Sequence, residues 1–363
     1  MKKVMYSPEY QYIWDQFCQD QPEAWFWHTS FWVEYCLASR FGVESQNLSY
    51  LIMDDGMQTV WAIVPLIIDR SGEGVEFSFS GGPIPQPVIK ANIGRKEKEI
   101  EKYIFAEYAI LARENNVQRI TIRQSNVCQT QKECVEPLLI KHGYIDMSGY
   151  TSVLDLGQDE ERILAGMTKG HRSVITKGLR LGLEIKTYDQ LTITEEKWHD
   201  FRENYFEAAD KKTRPDKTFE LLLQFIKNGY GYLFESMEQE ESSGFVYVLV
   251  YKSYAYYAMS CRKTRETVIA SSQIMQWKVI RLLKEKNILY YELGEQYFTP
   301  TFFYPVDSKM ITISQHKRGF GGVFIPQAIG EYYFSQEYLM NSWNKRFVKL
   351  LAYTFEKAKD EHI

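Results

Sequence analysis

Few side chains in this sequence of 363 residues are placed by type and spacing to do chemistry, and most of them are cations or carboxylates beside glycine. Lys317 precedes Gly319-Phe320-Gly321-Gly322, a backbone that can approach a ligand closely and offer it N–H groups. Glu292 ends an apolar strand run two residues before Gly294, where α/β sheets commonly present ligands, and Glu295 is a second carboxylate three residues on. Lys211-Lys212-Thr213-Arg214-Pro215 lies between two helical segments, and Arg214 there can grip a diphosphate or remain a solvated loop side chain. Between Gly166 and Lys186 five Lys or Arg stand against one carboxylate. Lys169 and Arg172 of this strip are candidates for binding an anion, the plain alternative being a solvated helix face.

Other chemistries lack their signatures. The six histidines show no metal-ligand spacing, and there is no His-Glu-x-x-His, Gly-x-Ser-x-Gly, P-loop or dinucleotide fingerprint. No metal is expected. The five cysteines are odd in number, lack a Cys-x-x-Cys pair and read as buried small hydrophobes, which points to the cytoplasm. A formal net charge of −4 argues against DNA and a global polyanion field, while leaving local phosphate sites open. The longest apolar run, Trp61 to Ile68, is far too short to span a bilayer, although peripheral approach to a membrane stays open. The N-terminus has no signal-peptide core.

The elements that must position these residues follow from periodicity. The first 45 residues read as helical, with Ser30 as N-cap of a helix over Phe31 to Phe41 and Gly42 closing it. Strand runs at 48–53, 59–68 and 75–80 are followed by Gly81 to Pro87, a stretch expected to be irregular. A helix over 97–114, a strand over 117–123 and a helix over 129–141 complete this half. The second half repeats the order: antiparallel strands at 231–237, 244–251 and 254–261, a helix over 271–286 and a strand over 288–293. Helices are also expected at 195–209 and 218–227. The glycines at 170, 178 and 182 are expected to interrupt an amphipathic helix between the halves. Two domains follow, 1–165 and 166–363, as a duplicated α/β unit.

Four stretches then carry a resemblance. His171 to Glu184, Tyr256-Tyr257-Ala258-Met259-Ser260, Gln276 to Ile280 with Asn287 to Gly294, and His316-Lys317-Arg318-Gly319-Phe320-Gly321-Gly322 fall in the order of the motifs of the Fem-type proteins. These are the FemA/FemB/FemX peptidoglycan aminoacyltransferases and their acetyltransferase-like relatives. The resemblance covers about 166–325. It implies an α/β (α+β) fold of tandem GNAT-like domains, each a mostly antiparallel mixed sheet flanked by helices. Two departures stand out: no helical arm is inserted, and Glu292 stands where the family usually has Asp.

The resemblance implies acyl transfer from an activated carboxyl to an amine. Such a site must stabilise an oxyanion, take a proton from the attacking ammonium and position two substrates. Lys317 matches the motif position near the transferred carbonyl, with Gly319 and Gly321 beside it. Glu292, or Glu295 in its place, can take or hold the amine's proton if burial raises its pKa, a structural ion-pair or capping role being the alternative. Arg172 matches the family's Arg, Arg214 resembles its loop Arg, and Tyr257 can stack on a substrate ring or pack in the sheet. The donor is either aminoacyl-tRNA or acyl-CoA, with no tightly bound cofactor. The loop Arg262 to Ser272 contains no glycine, against the usual pyrophosphate cradle of CoA, although Ser271 and Ser272 can still cap a phosphate-binding helix terminus. The acceptor is a cell-envelope precursor. An alternative is a CoA-dependent N-acyltransferase on a nucleotide-linked amino sugar. A third reading, an inert glycan- or protein-binding module, expects Lys317 and Glu292 to face away from any cleft.

Overall fold

The computed structural model describes residues 1–125, 138–238, 241–262 and 271–360. It divides into two compact units.

The first unit opens with β1 (Lys2–Met5), α1 (Gln11–Asp20) and α2 (Ser30–Ala38). Then come β2 (Glu44–Asn47), β3 (Tyr50–Met53), β4 (Val60–Val64), β5 (Ile67–Ser71), β6 (Gly74–Phe77), β7 (Ile84–Pro85) and β8 (Val88–Ile89). The amphipathic α3 (Arg95–Glu114) buries Ile100, Ile104, Tyr108 and Leu111 and is followed by β9 (Arg119–Arg123), α4 (Leu138–Lys141) and β10 (Ile145–Asp146). A four-stranded sheet runs β1-β3-β4-β8. Several expectations are corrected here. The N-terminus is a strand pairing with β3, not a helix. Thr29, not Ser30, caps α2, because the Ser30 hydroxyl is bonded to Asp15, and the helix stops at Ala38. Pro65 divides the expected 59–68 strand in two. The stretch expected to be irregular contains β7, which pairs in parallel with β9. Of the expected 129–141 helix, residues 129–137 lie outside the described residues.

The second unit contains β11 (Gly149–Asp155) from Thr151 onward, α5 (Glu160–Gly166), α6 (Lys169–Leu181), β12 (Ile185–Tyr188), α7 (Glu195–Ala209) and α8 (Asp216–Lys227). It continues through β13 (Gly231–Glu238), β14 (Glu241–Tyr251), β15 (Tyr254–Arg262), α9 (Ser271–Glu285), β16 (Tyr290–Glu295), α10 (Ser308–Arg318) from Ile311 onward and β17 (Val323–Gln327) as far as Ile325. The sheet order is β12-β13-β14-β15-β16-β11-β17. β14 is an inner strand, with Phe245 to Tyr251 buried without a break, as a strand covered on both faces requires. β15 and β16 run parallel, and β16 is antiparallel to β11. The glycines of the basic strip do not interrupt α6, which is continuous. Gly178 is there because a Cβ would stand 2.0 Å from Ile274 of α9, and Gly182 ends the helix in the left-handed region at φ +65°.

The chain then returns to the first unit with β18 (Ile329–Tyr333) and α11 (Gln336–Asp360). The units are therefore Met1–Tyr150 with Thr299–Met310 and Pro326–Ile363, and Thr151–Phe298 with Ile311–Ile325, rather than a single cut at 165/166. The reason is strand pairing. β18 inserts between β10 and β9 in the sheet β10-β18-β9-β6-β5-β2, whereas residues 151–155 pair with β16. An ion-pair cluster holds the return in place. Arg119 bonds Glu76 at 2.8 Å and Glu331 at 3.2 Å, and Arg346 of α11 bonds Glu331 at 2.6 Å. The Tyr333 hydroxyl donates to Glu331 and the Tyr338 hydroxyl to Glu76. Burial raises the Glu331 carboxyl, but the Arg346 and Arg119 guanidinium groups outweigh it and hold the pKa below its ordinary 4.5.

Removing this carboxylate strands the part-buried Arg346 guanidinium and leaves Arg119 with Glu76 alone, so Glu331→Ala should cost about 3–5 kcal/mol in urea unfolding at neutral pH. Because the folded pKa lies below the unfolded one, this stabilisation is present above about pH 4.5 and is lost as pH falls through the folded value. The stability gap between wild type and variant should accordingly narrow in acid.

Candidate functional site

The second unit's sheet opens at one point. β15 and β16 pair from Tyr254 opposite Tyr290 to Tyr256 opposite Glu292, and both strands then run on, to Arg262 and Glu295. Each is bulged near the fork. The β14–β15 register passes from Val248/Tyr257 to Tyr247/Met259, leaving out Ala258, and the β11–β16 register passes from Val153/Glu292 to Ser152/Gly294, leaving out Leu293. Bulges re-aim side chains and end pairing, which is what a cleft between neighbouring strands needs. A cavity of about 490 Å³ lies here, with Tyr257, Ala258, Met259 and Ser260 of β15 on one wall. Thr312, Ile313, His316 and Lys317 of α10 form another wall, and Ser272 of α9 contributes as well. The helical spacing of 312, 313, 316 and 317 puts these four on one face.

Lys317 is half-buried in the last turn of α10. Its ammonium lies 5.6 Å from the Tyr257 ring centroid. A Cβ on Gly294 would come within 3.1 Å of its Nζ and 3.5 Å of the Tyr256 hydroxyl, and Gly294 has φ +89°. Glycine is thus required both by the backbone and by the cation above it. Burial pulls the Lys317 pKa below 10.5, opposed by the fields of Glu295 and Glu292. Burial also raises the Tyr257 phenol, which donates to Ser260 Oγ at 2.7 Å.

The other sequence candidates are placed differently. Glu292 is 5% exposed and turned into the sheet, accepting hydrogen bonds from the Thr151 hydroxyl at 2.6 Å and the Tyr254 hydroxyl at 3.2 Å. It ties β11, β15 and β16 together at the fork. Glu295 accepts from the Tyr297 hydroxyl, and neither carboxylate is among the cavity-lining residues. Gly319 and Gly321 do not offer free N–H groups: Gly319 donates to Gln315 and His316 carbonyls, and Gly321 to that of Arg318. They are small for steric reasons. A Cβ would stand 2.1 Å from the His171 ring at Gly319 and 2.8 Å from the Gly166 carbonyl at Gly321. Arg214 donates to the Tyr205 hydroxyl at 3.2 Å and approaches the sulfur of Met259 at 3.7 Å, so it backs one cavity residue. Lys169 and Arg172 line a separate groove of about 570 Å³ along α6 with Lys177 and Arg180, and Arg172 also donates to the Ala165 and Met167 carbonyls that end α5.

Lys317 on a cavity wall runs against the inert reading, whereas Glu292 lies inside the sheet. Of the loop expected to hold or refuse a pyrophosphate, residues 263–270 lie outside the described residues. His316, Met259 and Ile313 were assigned no role from sequence. The i, i+4 pairing of Thr312 with His316 was the signal available.

No protein-family profile matches the chain, and no curated protein matches it. Solved structures do. The crystal structure of FemX aligns with TM-score 0.67 and 12% identity over 93% of this chain and 98% of FemX. The fold is that of FemX. L-PGS from Bacillus licheniformis aligns with TM-score 0.59 at 12% identity, covering 95% of this chain and 96% of its own. A tandem GNAT protein from the clavulanic acid biosynthesis pathway aligns with TM-score 0.51 at 12% identity, over 92% and 98%. The tandem GNAT architecture expected from the motifs is present, with mixed and mostly antiparallel sheets.

On this FemX-like fold the buried cation is a local liability. Its cost is fully present below the folded Lys317 pKa and shrinks as pH rises from there towards 10.5. Lys317→Met should therefore raise the thermal midpoint at neutral pH, and the gain should fade in alkali. Gly294→Ala should lower the midpoint, since it strains the backbone and displaces the ammonium.

Proposed function

We propose that the protein is an acyltransferase that forms an amide on an amino group of a cell-envelope precursor, with aminoacyl-tRNA as donor. The observation that carries this reading is Lys317, a half-buried cation on the wall of a cavity at the fork of two parallel strands, in a chain with the FemX fold. An acyl group entering the cavity would bring its carbonyl to Lys317, the one lysine among the described residues that line the wall. In a desolvated site a fixed cation stabilises a developing oxyanion far better than it would in water. The walls of Tyr257, Met259 and Ile313 suit a small acyl or aminoacyl group rather than a phosphate. Arg214, which backs Met259, and the α6 groove lined by Lys169 and Arg172 are the places for the phosphates of large substrates.

A second reading has an observation of its own. A fork between parallel strands exposes strand backbone to which the amide groups of a pantetheine arm can bond, and the clavulanic-pathway relative is described with reference to AcCoA. In this reading acyl-CoA is the donor and a nucleotide-linked amino sugar the acceptor. Among the described residues no helix is long and apolar enough to cross a membrane. In either reading the substrate is met in the cytoplasm, in solution or at a membrane surface.

Purified protein should be incubated with alanyl-tRNA or acetyl-CoA and a nucleotide-linked muramyl peptide or amino sugar, and amide formation followed. Transfer from charged tRNA is expected, and saturable turnover of acetyl-CoA with indifference to tRNA would replace the first donor by the second. Lys317→Ala should lower kcat by about 10²–10³-fold with little change in substrate affinity. The protonated amine is the working form, so the rate should fall as pH rises through a midpoint below 10.5. An unchanged rate in the variant would remove Lys317 from the mechanism.

A further inference from the structure

The acyl-transfer reading needs a group to take the proton of the attacking ammonium, and neither carboxylate marked by the sequence lines the cavity. Both Glu292 oxygens are engaged by hydroxyl donors inside the sheet. The cavity wall offers another group. His316 is one residue before Lys317 on the same helix face, half-buried and lining the cavity. It stands beside a second histidine, His171 of α6, at 5.0 Å between ring centroids. Phe320 meets both rings edge-on, at 5.3 Å and 4.6 Å, which holds their orientation.

The two imidazoles differ in one respect. Both nitrogens of His171 are occupied, Nδ1 with the Thr168 hydroxyl at 3.1 Å and Nε2 with the His316 main-chain carbonyl at 3.0 Å. The ring nitrogens of His316 have no hydrogen-bond partner among the described residues, and they are not buried orphans either. His171 spends its hydrogen bond on the main chain of residue 316, fixing the helix turn from which the free ring projects. One histidine is a strut and its neighbour is open to the cavity.

We propose that His316 is the catalytic base of the transfer, an inference that rests on the acyltransferase reading and adds a residue to it. The acceptor ammonium gives one proton to neutral His316. The freed lone pair forms the C–N bond at the donor carbonyl, whose oxygen takes negative charge beside Lys317. Collapse breaks the C–O bond of an aminoacyl ester, or the C–S bond of a thioester, and the leaving oxygen or sulfur takes the second amine proton. His316 then releases its proton to solvent, so the products are amide, alcohol or thiol, and one proton. The surroundings keep the imidazole in its neutral, accepting form. Burial lowers its pKa below 6.5, and the fields of His171 from α6 and of Lys317 on its own helix lower it further. β15 contributes the Tyr257 phenol, itself held protonated by burial, and α9 contributes Ser272, which does not titrate.

The test has a readout that needs no substrate. Diethyl pyrocarbonate attacks unprotonated, accessible imidazole, and peptide mass mapping after brief treatment of the folded protein should find His316 carbethoxylated and His171 protected. Protection of His316 would overturn the proposal. In the transfer assay, His316→Gln should lower kcat by about 10²–10⁴-fold at unchanged KM. It should also abolish the acid limb that wild type shows with a midpoint below 6.5. His316→Ala should regain turnover with added imidazole, a rescue that a merely structural residue would not show. Full activity of both variants with the acid limb intact would overturn the base and leave the acyltransferase reading standing. Absence of transfer by the wild type with every donor and acceptor above would overturn both.

Discussion

The functional half of this molecule depends on one fork between two parallel strands. β15 and β16 hold together for three residue pairs and then separate, and the separation is built in by an extra residue in each strand, Ala258 and Leu293. A fork in a sheet leaves main-chain groups and apolar side chains without their usual neighbours, which is costly unless something is bonded across its root. Here Glu292 serves that need. Its carboxylate gathers the hydroxyls of Thr151 and Tyr254 from the strands on either side. The residue that looked most like a catalytic acid or base is the one that keeps the cleft's root closed.

The glycines beside Lys317 have a similar history. In sequence they suggest a flexible loop whose amides face a ligand. In the structure their amides finish the last turn of α10, and the absence of side chains lets neighbouring groups come close: the His171 ring at Gly319, a carbonyl at Gly321, and the Lys317 ammonium at Gly294. Close approach, rather than anion binding, explains these positions. The same steric argument accounts for Gly178, pressed against Ile274 within an unbroken helix, which the sequence had suggested was interrupted. Together these contacts fix the turn carrying Lys317 and His316 against the second unit's sheet, so that two groups with lowered pKa values share one wall of the cavity.

Local patterns read from the sequence were reliable where burial is periodic. The three strands before α9, that helix, α3 and α7 all lie within a few residues of their expected positions, because each has a face that only one secondary structure can bury. The strands left unread share a cause. β1, β7 and β18 are short strands whose partners lie far along the chain, and no local pattern marks them. The placement of β18 moves the C-terminal segment into the first unit and is reinforced by Arg119, Glu331 and Arg346, three charges well separated in sequence.

The amino-acid sequence alone determined the fold class, the order of the main elements, and Lys317 as a cation set where chemistry is plausible, since these follow from periodicity and from motifs contained in single segments. Only the tertiary structure decided which groups face the cavity. Glu292 turns inward because hydroxyls from two other strands satisfy it, and His316 keeps an open ring because His171, 145 residues earlier, binds its main chain instead. Whether a polar side chain is spent on the fold or left for a substrate depends on partners distant in sequence, and folding is what brings those partners together.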